Sequence, residues 1–175
     1  MRWSVVPTPI GDLAVAVEGA AVCRVHFGDR SGAAGRTRAG PDWSRYEGEA
    51  GDSDPLLDAA AAQLREYFAG RRTEFDLPLA DVGGSDFERR VWAALAEIPY
   101  GEMRTYGQIA SAVGDPGAAR AVGTACNRNR LPVLLPCHRV VGADGKLVGF
   151  GGGLPRKRFL LELEARVRVE RDFAL

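Results

Sequence analysis

The stretch TYGQIASAVGDPGAARAVGTAC, Thr105 to Cys126, decides how the second half of this chain folds. Thr105 is placed to cap a short helix running to Val113, and Gly114-Asp115-Pro116-Gly117 interrupts it with a turn. Ala118 to Cys126 then forms a second helix. Two short helices about a glycine-containing turn predict a helix-turn-helix. The second helix is built largely of small residues, Ala119, Ala121 and Gly123 among them, with Arg120 between. Small side chains let a backbone come close to a neighbour, whether a nucleic-acid groove or another helix, and this helix alone fits both.

Upstream, Ser85-x-x-Glu88 has the pattern of a capping box, and the helix behind it places Phe87, Val91, Trp92, Leu95 and Ile98 on one side until Pro99 stops it. Downstream, Leu131 to Leu135 leads into Pro136-Cys137-His138-Arg139-Val140, which sets a thiol beside an imidazole. A cysteine must lose its proton before it attacks anything, and a nearby base supplies that. In an extended segment the two side chains would face opposite ways, so the imidazole has to reach the sulfur by a turn or through a water. The dipeptide alone fits a buried thiol next to a satisfied histidine equally well.

Gly142-Ala143-Asp144-Gly145 is a hairpin-turn sequence, Gly149 to Gly153 a glycine-rich loop, and a final helix from Pro155 to Ala165 buries Phe159, Leu160 and Leu163. No Gly-Lys-Ser/Thr follows the loop, which argues against a nucleotide-binding loop. The N-terminal half reads as strands at Trp3–Val6, Leu13–Val17 and Ala21–Phe27, punctuated by Pro7, Pro9, Gly11 and Gly19, predicting an antiparallel meander. Gly28 to Asp54 has no apolar period and reads as a mobile loop. Asp54-Pro55 opens a helix with Leu56, Leu57, Ala60, Leu64, Tyr67 and Phe68 at helical spacing. A short strand is expected at Thr73 to Leu77, and Gly83-Gly84 is a plausible hinge. The expected division is therefore 1–82 and 83–175.

The 175 residues are 46% hydrophobic, enough for a real core, and no apolar run approaches the roughly 18 residues that span a bilayer. The start, Met1-Arg2-Trp3-Ser4, lacks a signal peptide's apolar stretch, so a cytoplasmic protein without membrane contact is expected. Cys23, Cys126 and Cys137 are an odd set that fits a reducing compartment. Cys23-x-x-His26 supplies two ligands where a zinc site needs four, so no metal is expected. Net charge is zero, but from Arg104 to Arg158 nine basic residues meet only Asp115 and Asp144, a local excess of +7. That asymmetry suggests a polyanion-binding face, with a solvated arginine surface as the alternative.

The blocks Val91-Trp92, Ile98-Pro99-Tyr100-Gly101, Thr105-Tyr106-Gly107-Gln108-Ile109-Ala110, Ala119-Arg120-Ala121-Val122-Gly123, Asn129, Pro136-Cys137-His138-Arg139-Val140, Gly152-Gly153 and Leu160-Leu161 occur in this order. In them the chain from Phe87 to Glu164 closely resembles the O6-alkylguanine-DNA alkyltransferases, or methylated-DNA protein-cysteine methyltransferases. Residues Pro9 to Phe27 and Leu56 to Phe68 resemble, more weakly, that family's ribonuclease-H-like domain. The resemblance implies an α+β protein: a small N-terminal ribonuclease-H-like domain and a C-terminal helical domain with a winged helix-turn-helix-like motif.

It also implies a reaction. A guanine alkylated on O6, in double-stranded DNA held by its minor groove, is flipped out, and Cys137 takes the alkyl group irreversibly, one group per chain. His138 matches the residue that takes the thiol proton through a water, and Glu164 the carboxylate that orients the imidazole. Without that register, Glu164 reads as an exposed helix charge. Tyr106 matches a proton donor to the departing base. Arg120 matches the finger that fills the vacated stack, with Ala119, Ala121, Gly123 and Thr105 also at the DNA. Asn129 matches a brace of the active-site turn, and Val140, Phe150 and Gly151 line the base pocket. Phe150 and Gly151 stand where relatives carry Tyr and Ser, so hydroxyl contacts to the base are missing and the substrate range could differ; O4-alkylthymine is a possible second substrate. No cofactor is implied, and a monomer is expected. The alternatives are a lesion-recognition protein that transfers nothing and a DNA-binding regulator.

Overall fold

The computed structural model describes residues 1–28 and 54–174. Apart from Gly28 and Asp54, the segment expected to be a mobile loop lies outside the described residues. The chain divides into two compact units, Met1–Asp81 and Val82–Leu175.

In the first unit, β1 (Arg2–Thr8), β2 (Gly11–Glu18) and β3 (Ala21–Phe27) form an antiparallel meander in the order β1-β2-β3. Leu13, Val15 and Val17 of β2 are buried together with Val6 and Val22. Helix α1 (Pro55–Phe68) packs on β1 and β2 through Leu57, Ala60, Leu64 and Tyr67. Its start follows from the sequence, because Asp54 accepts from the Leu56 and Leu57 amides at 2.9 and 3.1 Å and Pro55 has no amide to satisfy. The strand expected at Thr73 to Leu77 does not form. The Gln63 side chain takes both the amide and the carbonyl of Asp76, at 2.8 and 3.0 Å, occupying groups a ladder would need. Sheet pairing is limited to a parallel bridge between Leu79 and Val22.

The second unit holds α2 (Asp86–Ala96), β4 (Arg104–Thr105), α3 (Tyr106–Ala112), α4 (Ala119–Asn127), β5 (Val140–Val141) and α5 (Leu154–Asp172). The Ser85–Glu88 capping box is formed, and a second one joins Thr105 to Gln108. Helices α2, α3 and α4 pack on one another around Val91, Leu95, Ile109, Ala110, Val122 and Ala125, and the Trp92 indole N–H donates to the Ala125 carbonyl at 2.9 Å. Strand β4 runs parallel to β5, with Thr105 opposite Val141, tying the start of α3 to the chain just after Cys137.

Helix α5 extends seven residues beyond its expected end at Ala165. Its buried positions, Lys157, Leu160, Leu163, Glu164 and Val167, keep helical spacing, while Arg166–Glu170 and Arg168–Asp172 are spaced for pairing along the exposed side. The chain passes this helix at Gly101, which has a φ of 76°. A Cβ there would stand 2.8 Å from Arg168 Cδ, so both the conformation and the close approach require glycine.

Candidate active site

Cys137, His138 and Arg139 form a single 3₁₀ turn between Pro136 and β5, and all three are buried. In this turn the side chains of Cys137 and His138 do not alternate as those of a strand would. His138 and Glu164, 26 residues apart, meet with no solvent exposure at either, His138 Nε2 lying 2.7 Å from Glu164 Oε2. An ionised carboxylate only accepts, so Nε2 carries the proton and Nδ1 holds the lone pair of the neutral ring. Among the described residues, Nδ1 makes no hydrogen bond. Burial lowers the proton affinity of His138, Glu164 raises it, and Arg139 and Lys157 lower it again, for a net downward shift.

The carboxylate itself is held by more than the imidazole. Arg139 Nε donates to Glu164 Oε1 at 2.8 Å and Nη2 to Oε2 at 3.0 Å, while the Gly101 amide donates to Oε1 at 3.3 Å. Burial opposes ionisation of Glu164, yet His138 and Arg139 hold its carboxyl well below the usual range. The remaining Arg139 contact, Nη1 to the Ile98 carbonyl at 2.6 Å, anchors the guanidinium to the chain after α2.

Burial pushes the Cys137 thiol above its ordinary value, and the pull of Asn129, Lys157 and nearby backbone amides does not overcome it. At neutral pH the thiol keeps its proton, and a base has to remove it. Cys126, in the same buried cluster, is pushed up to about 12 by burial and then by Cys137. It lacks the amide and asparagine contacts that favour a thiolate at Cys137, which leaves Cys137 as the sulfur equipped for chemistry.

Asn129 braces the turn ahead of the thiol. Its Oδ1 accepts from the Leu131 amide at 2.9 Å and its Nδ2 donates to the Leu135 carbonyl at 3.0 Å. Between them Val133 has a φ of 71°, a conformation that a β-branched residue rarely adopts. Replacing Asn129 with alanine is expected to cost ~1–3 kcal/mol, because the Leu131 amide loses its acceptor in a strained turn, while the Leu135 carbonyl keeps the Cys137 amide at 2.8 Å. Urea denaturation should show the loss, and the reactivity of Cys137 should fall with it.

Tyr106 opens α3, packs against the cluster that contains Cys137, and donates its hydroxyl to the Val148 carbonyl at 2.7 Å. Burial, then Cys126 and Cys137, push the phenol up to about 12, so it remains a donor at neutral pH. Gly123 of α4 lies beside this ring: a Cβ there would be 3.8 Å from Tyr106 Cε1. Lys157, which the sequence reading passed over, is fully buried. Its Nζ donates to the carbonyls of Val140 at 2.5 Å, Gly149 at 3.1 Å and Val148 at 3.5 Å, and lies 5.7 Å from the centre of the Tyr106 ring. Three carbonyls match the three N–H groups of an ammonium, and they join β5 to the glycine-rich loop.

The expected site residues therefore fall into two sets. Cys137, His138, Glu164, Tyr106, Asn129 and Val140 belong to one connected buried neighbourhood, and Phe150 packs against it. Arg120 and Ala121 are exposed on α4, Ala119 is half-buried at its start, Thr105 caps α3, and Gly151 is exposed with no atom within 4 Å of a would-be Cβ. Arg139 and Lys157 were missed. Their signal was spacing: Lys157 shares the helical stripe of Leu160, Glu164 and Val167, and Arg139 abuts the apolar pair Val140-Val141.

A family model for the DNA-binding domain of 6-O-methylguanine DNA methyltransferase matches residues 86–166, and one for the ribonuclease-like domain of the same family matches residues 1–80. A methylated-DNA–protein-cysteine methyltransferase of Mycobacterium tuberculosis is 45% identical over 175 residues, covering 100% of this chain and 98% of the relative. The constitutive methylated-DNA–protein-cysteine methyltransferase of Bacillus subtilis is 41% identical over 167 residues, 93% of this chain and 94% of the relative. Among solved structures, the O6-methylguanine methyltransferase of M. tuberculosis superposes with a TM-score of 0.79 at 44% identity, covering 94% of this chain and 93% of that one. OGT of the same organism in complex with DNA gives 0.78 at 45% identity, over 95% and 94%.

Proposed function

This chain belongs to the 6-O-methylguanine DNA methyltransferase family, and from that premise we propose that it repairs DNA by moving the alkyl group of O6-alkylguanine onto Cys137. The observation that carries the assignment is the buried line from the Cys137 turn through His138 to Glu164. A thiol that keeps its proton shares one buried turn with a neutral imidazole whose Nδ1 lone pair is unused.

The reaction follows from those groups. His138 Nδ1 takes the thiol proton through a water, and the sulfur attacks the alkyl carbon. A carbon–sulfur bond forms as the carbon–oxygen bond to guanine O6 breaks, and the bonding pair leaves with the base. Tyr106 gives its hydroxyl proton to N3 of that base, turning away from the Val148 carbonyl to do so. The proton held by His138 then passes back through water to the Tyr106 phenolate and the N3 proton shifts to N1 through solvent, so the protein ends as a thioether with both side chains neutral and the base as guanine. Nothing in the site cleaves a thioether, so each chain acts once. Asn129 holds the turn, while Val140, Phe150 and Gly151 form the wall against which the flat base lies.

The C-terminal domain, residues 83–175, carries both DNA contact and alkyl acceptance, with residues 1–82 as the ribonuclease-like domain. Helix α4 enters the minor groove, where Ala119, Ala121 and Gly123 leave room for close approach, Thr105 touches the backbone, and Arg120 fills the gap left by the flipped base. The protein works as a monomer in the cytoplasm.

Incubation with a duplex containing O6-methylguanine, followed by weighing the intact protein and its Cys137 peptide, tests the assignment. One methyl group per chain, located on Cys137 and absent from Cys137→Ser, is expected. Tight lesion binding with unmodified Cys137 would instead make this a lesion sensor. Arg120→Ala should slow repair of the duplex by ~10-fold or more, since flipping costs a few kcal/mol that the side chain partly offsets. Reaction with the free alkylated base should stay close to wild type, and equal losses on both substrates would remove the finger role.

A further inference from the structure

Glu164 is shared between a base that must be free to take a proton and a guanidinium that takes no part in the transfer. Its oxygens take hydrogen bonds from His138, twice from Arg139, and from the Gly101 amide. If the carboxylate faced His138 alone in this buried place, it would favour the imidazolium, and the ring would rest with both nitrogens protonated. Such a ring has no lone pair to offer a thiol.

We propose that Arg139 is a positioning residue: by forking onto both oxygens of Glu164 it keeps His138 neutral at rest, with its proton on Nε2 and Nδ1 open as the base. The inference rests on the assignment of Cys137 as acceptor and goes beyond it.

The charges around the imidazole support it. From α5 come Glu164 and Lys157, from the turn Cys137 and Arg139, and from the segment after α2 Tyr100, whose ring lies 5.6 Å from the Arg139 guanidinium. Tyr100 is pushed up to about 12, by burial first and then by Glu164, so it stays uncharged. With neutral His138, Glu164 and Arg139 cancel. Adding a proton to His138 then puts an uncompensated positive charge in a buried site that already contains Lys157. The one moment at which that proton is compensated is when Cys137 becomes a thiolate, so the imidazolium appears together with the nucleophile rather than before it. Arg139 is held for this task at its far end too, by the Ile98 carbonyl.

The chain has two histidines, so His26→Asn leaves His138 as the sole imidazole and its nitrogen resonances unambiguous. In the free protein, heteronuclear NMR should find His138 neutral at pH 7 as the Nε2–H tautomer, with a midpoint below the ordinary ~6.5. Arg139→Met should raise that midpoint by ~1–3 units, and Arg139→Lys, which keeps the charge but not the fork, should raise it by less. In transfer assays the acid limb of the Arg139→Met profile should move up in pH by the same amount, whereas a purely structural loss would lower the rate equally at every pH.

An imidazolium at pH 7 in the protein with native Arg139, or an unmoved midpoint in folded Arg139→Met, overturns the proposal. If Arg139→Met does not fold, the charge and tautomer of His138 with native Arg139 decide alone. The titration needs no methyl transfer, so a protein that titrates as expected but methylates nothing would refute the assigned function, and with it the role of Nδ1 as base, while the control of the His138 charge by Arg139 would stand.

Discussion

Glu164→Gln is expected to lower the rate of methyl transfer by ~10²–10⁴-fold, because the imidazole loses the anion that stabilises its protonated form as the thiolate develops. The same change strips Arg139 of its partner. Removing one member of a buried pair leaves the other charge uncompensated, at a cost of ~3–5 kcal/mol. The two effects have different pH signatures. The carboxyl of Glu164 is depressed in the folded protein, so its contribution to stability is fully present above the unfolded value of ~4.3 and is lost as pH falls towards the folded one. Wild type should therefore lose stability in acid below about pH 4.3, and Glu164→Gln should show a shallower loss over that range. Denaturant midpoints at pH 7 and pH 3.5 check this, and equal slopes in both proteins would mean that Glu164 is not the buried anion described.

Tyr106→Phe separates chemistry from binding. The hydroxyl gives up one hydrogen bond, to the Val148 carbonyl, which keeps Lys157 Nζ as a second donor at 3.5 Å. Stability should therefore change by only ~1 kcal/mol. The departing guanine, by contrast, loses the group that relieves its developing negative charge, and removal of one such donor slows a reaction by ~10²–10³-fold. Single-turnover experiments should show nearly unchanged affinity for the methylated duplex and a large fall in the rate constant. In wild type the phenol, held near 12, should impose no alkaline limb below about pH 11. A fall in affinity with an unchanged rate constant would make Tyr106 a wall of the pocket rather than a donor.

What the sequence disclosed was what is local. The caps at Asp54 and Thr105, the box at Ser85, and the turn after Val113 each depend on residues within three or four positions, and all formed. The failed strand at Thr73 to Leu77 has a cause 13 residues away, in the Gln63 side chain. Glu164 looked like a surface charge because Glu162 and Glu170 are surface charges. Only α5 packing against the Cys137 turn distinguishes it. The basic segment was over-read for the same reason: two of its nine cations, Arg139 and Lys157, are buried and satisfied inside the protein. Seven remain for any polyanion face, against the same two aspartates. Helical spacing marks Lys157 and Glu164 as members of a buried stripe, but the partners they meet there lie far away in sequence and are not encoded locally.

The burial of Cys137 bears on how long the protein stays usable. A chain that acts once spends nearly all its existence waiting, exposed to peroxides and to reactive electrophiles unrelated to DNA. Oxidants and alkylating agents attack thiolates far faster than thiols, and accessible sulfur faster than enclosed sulfur. At 6% exposure, with its proton retained, Cys137 is a slow target for both. The desolvation that makes a separate base necessary therefore also gives an unused acceptor its shelf life.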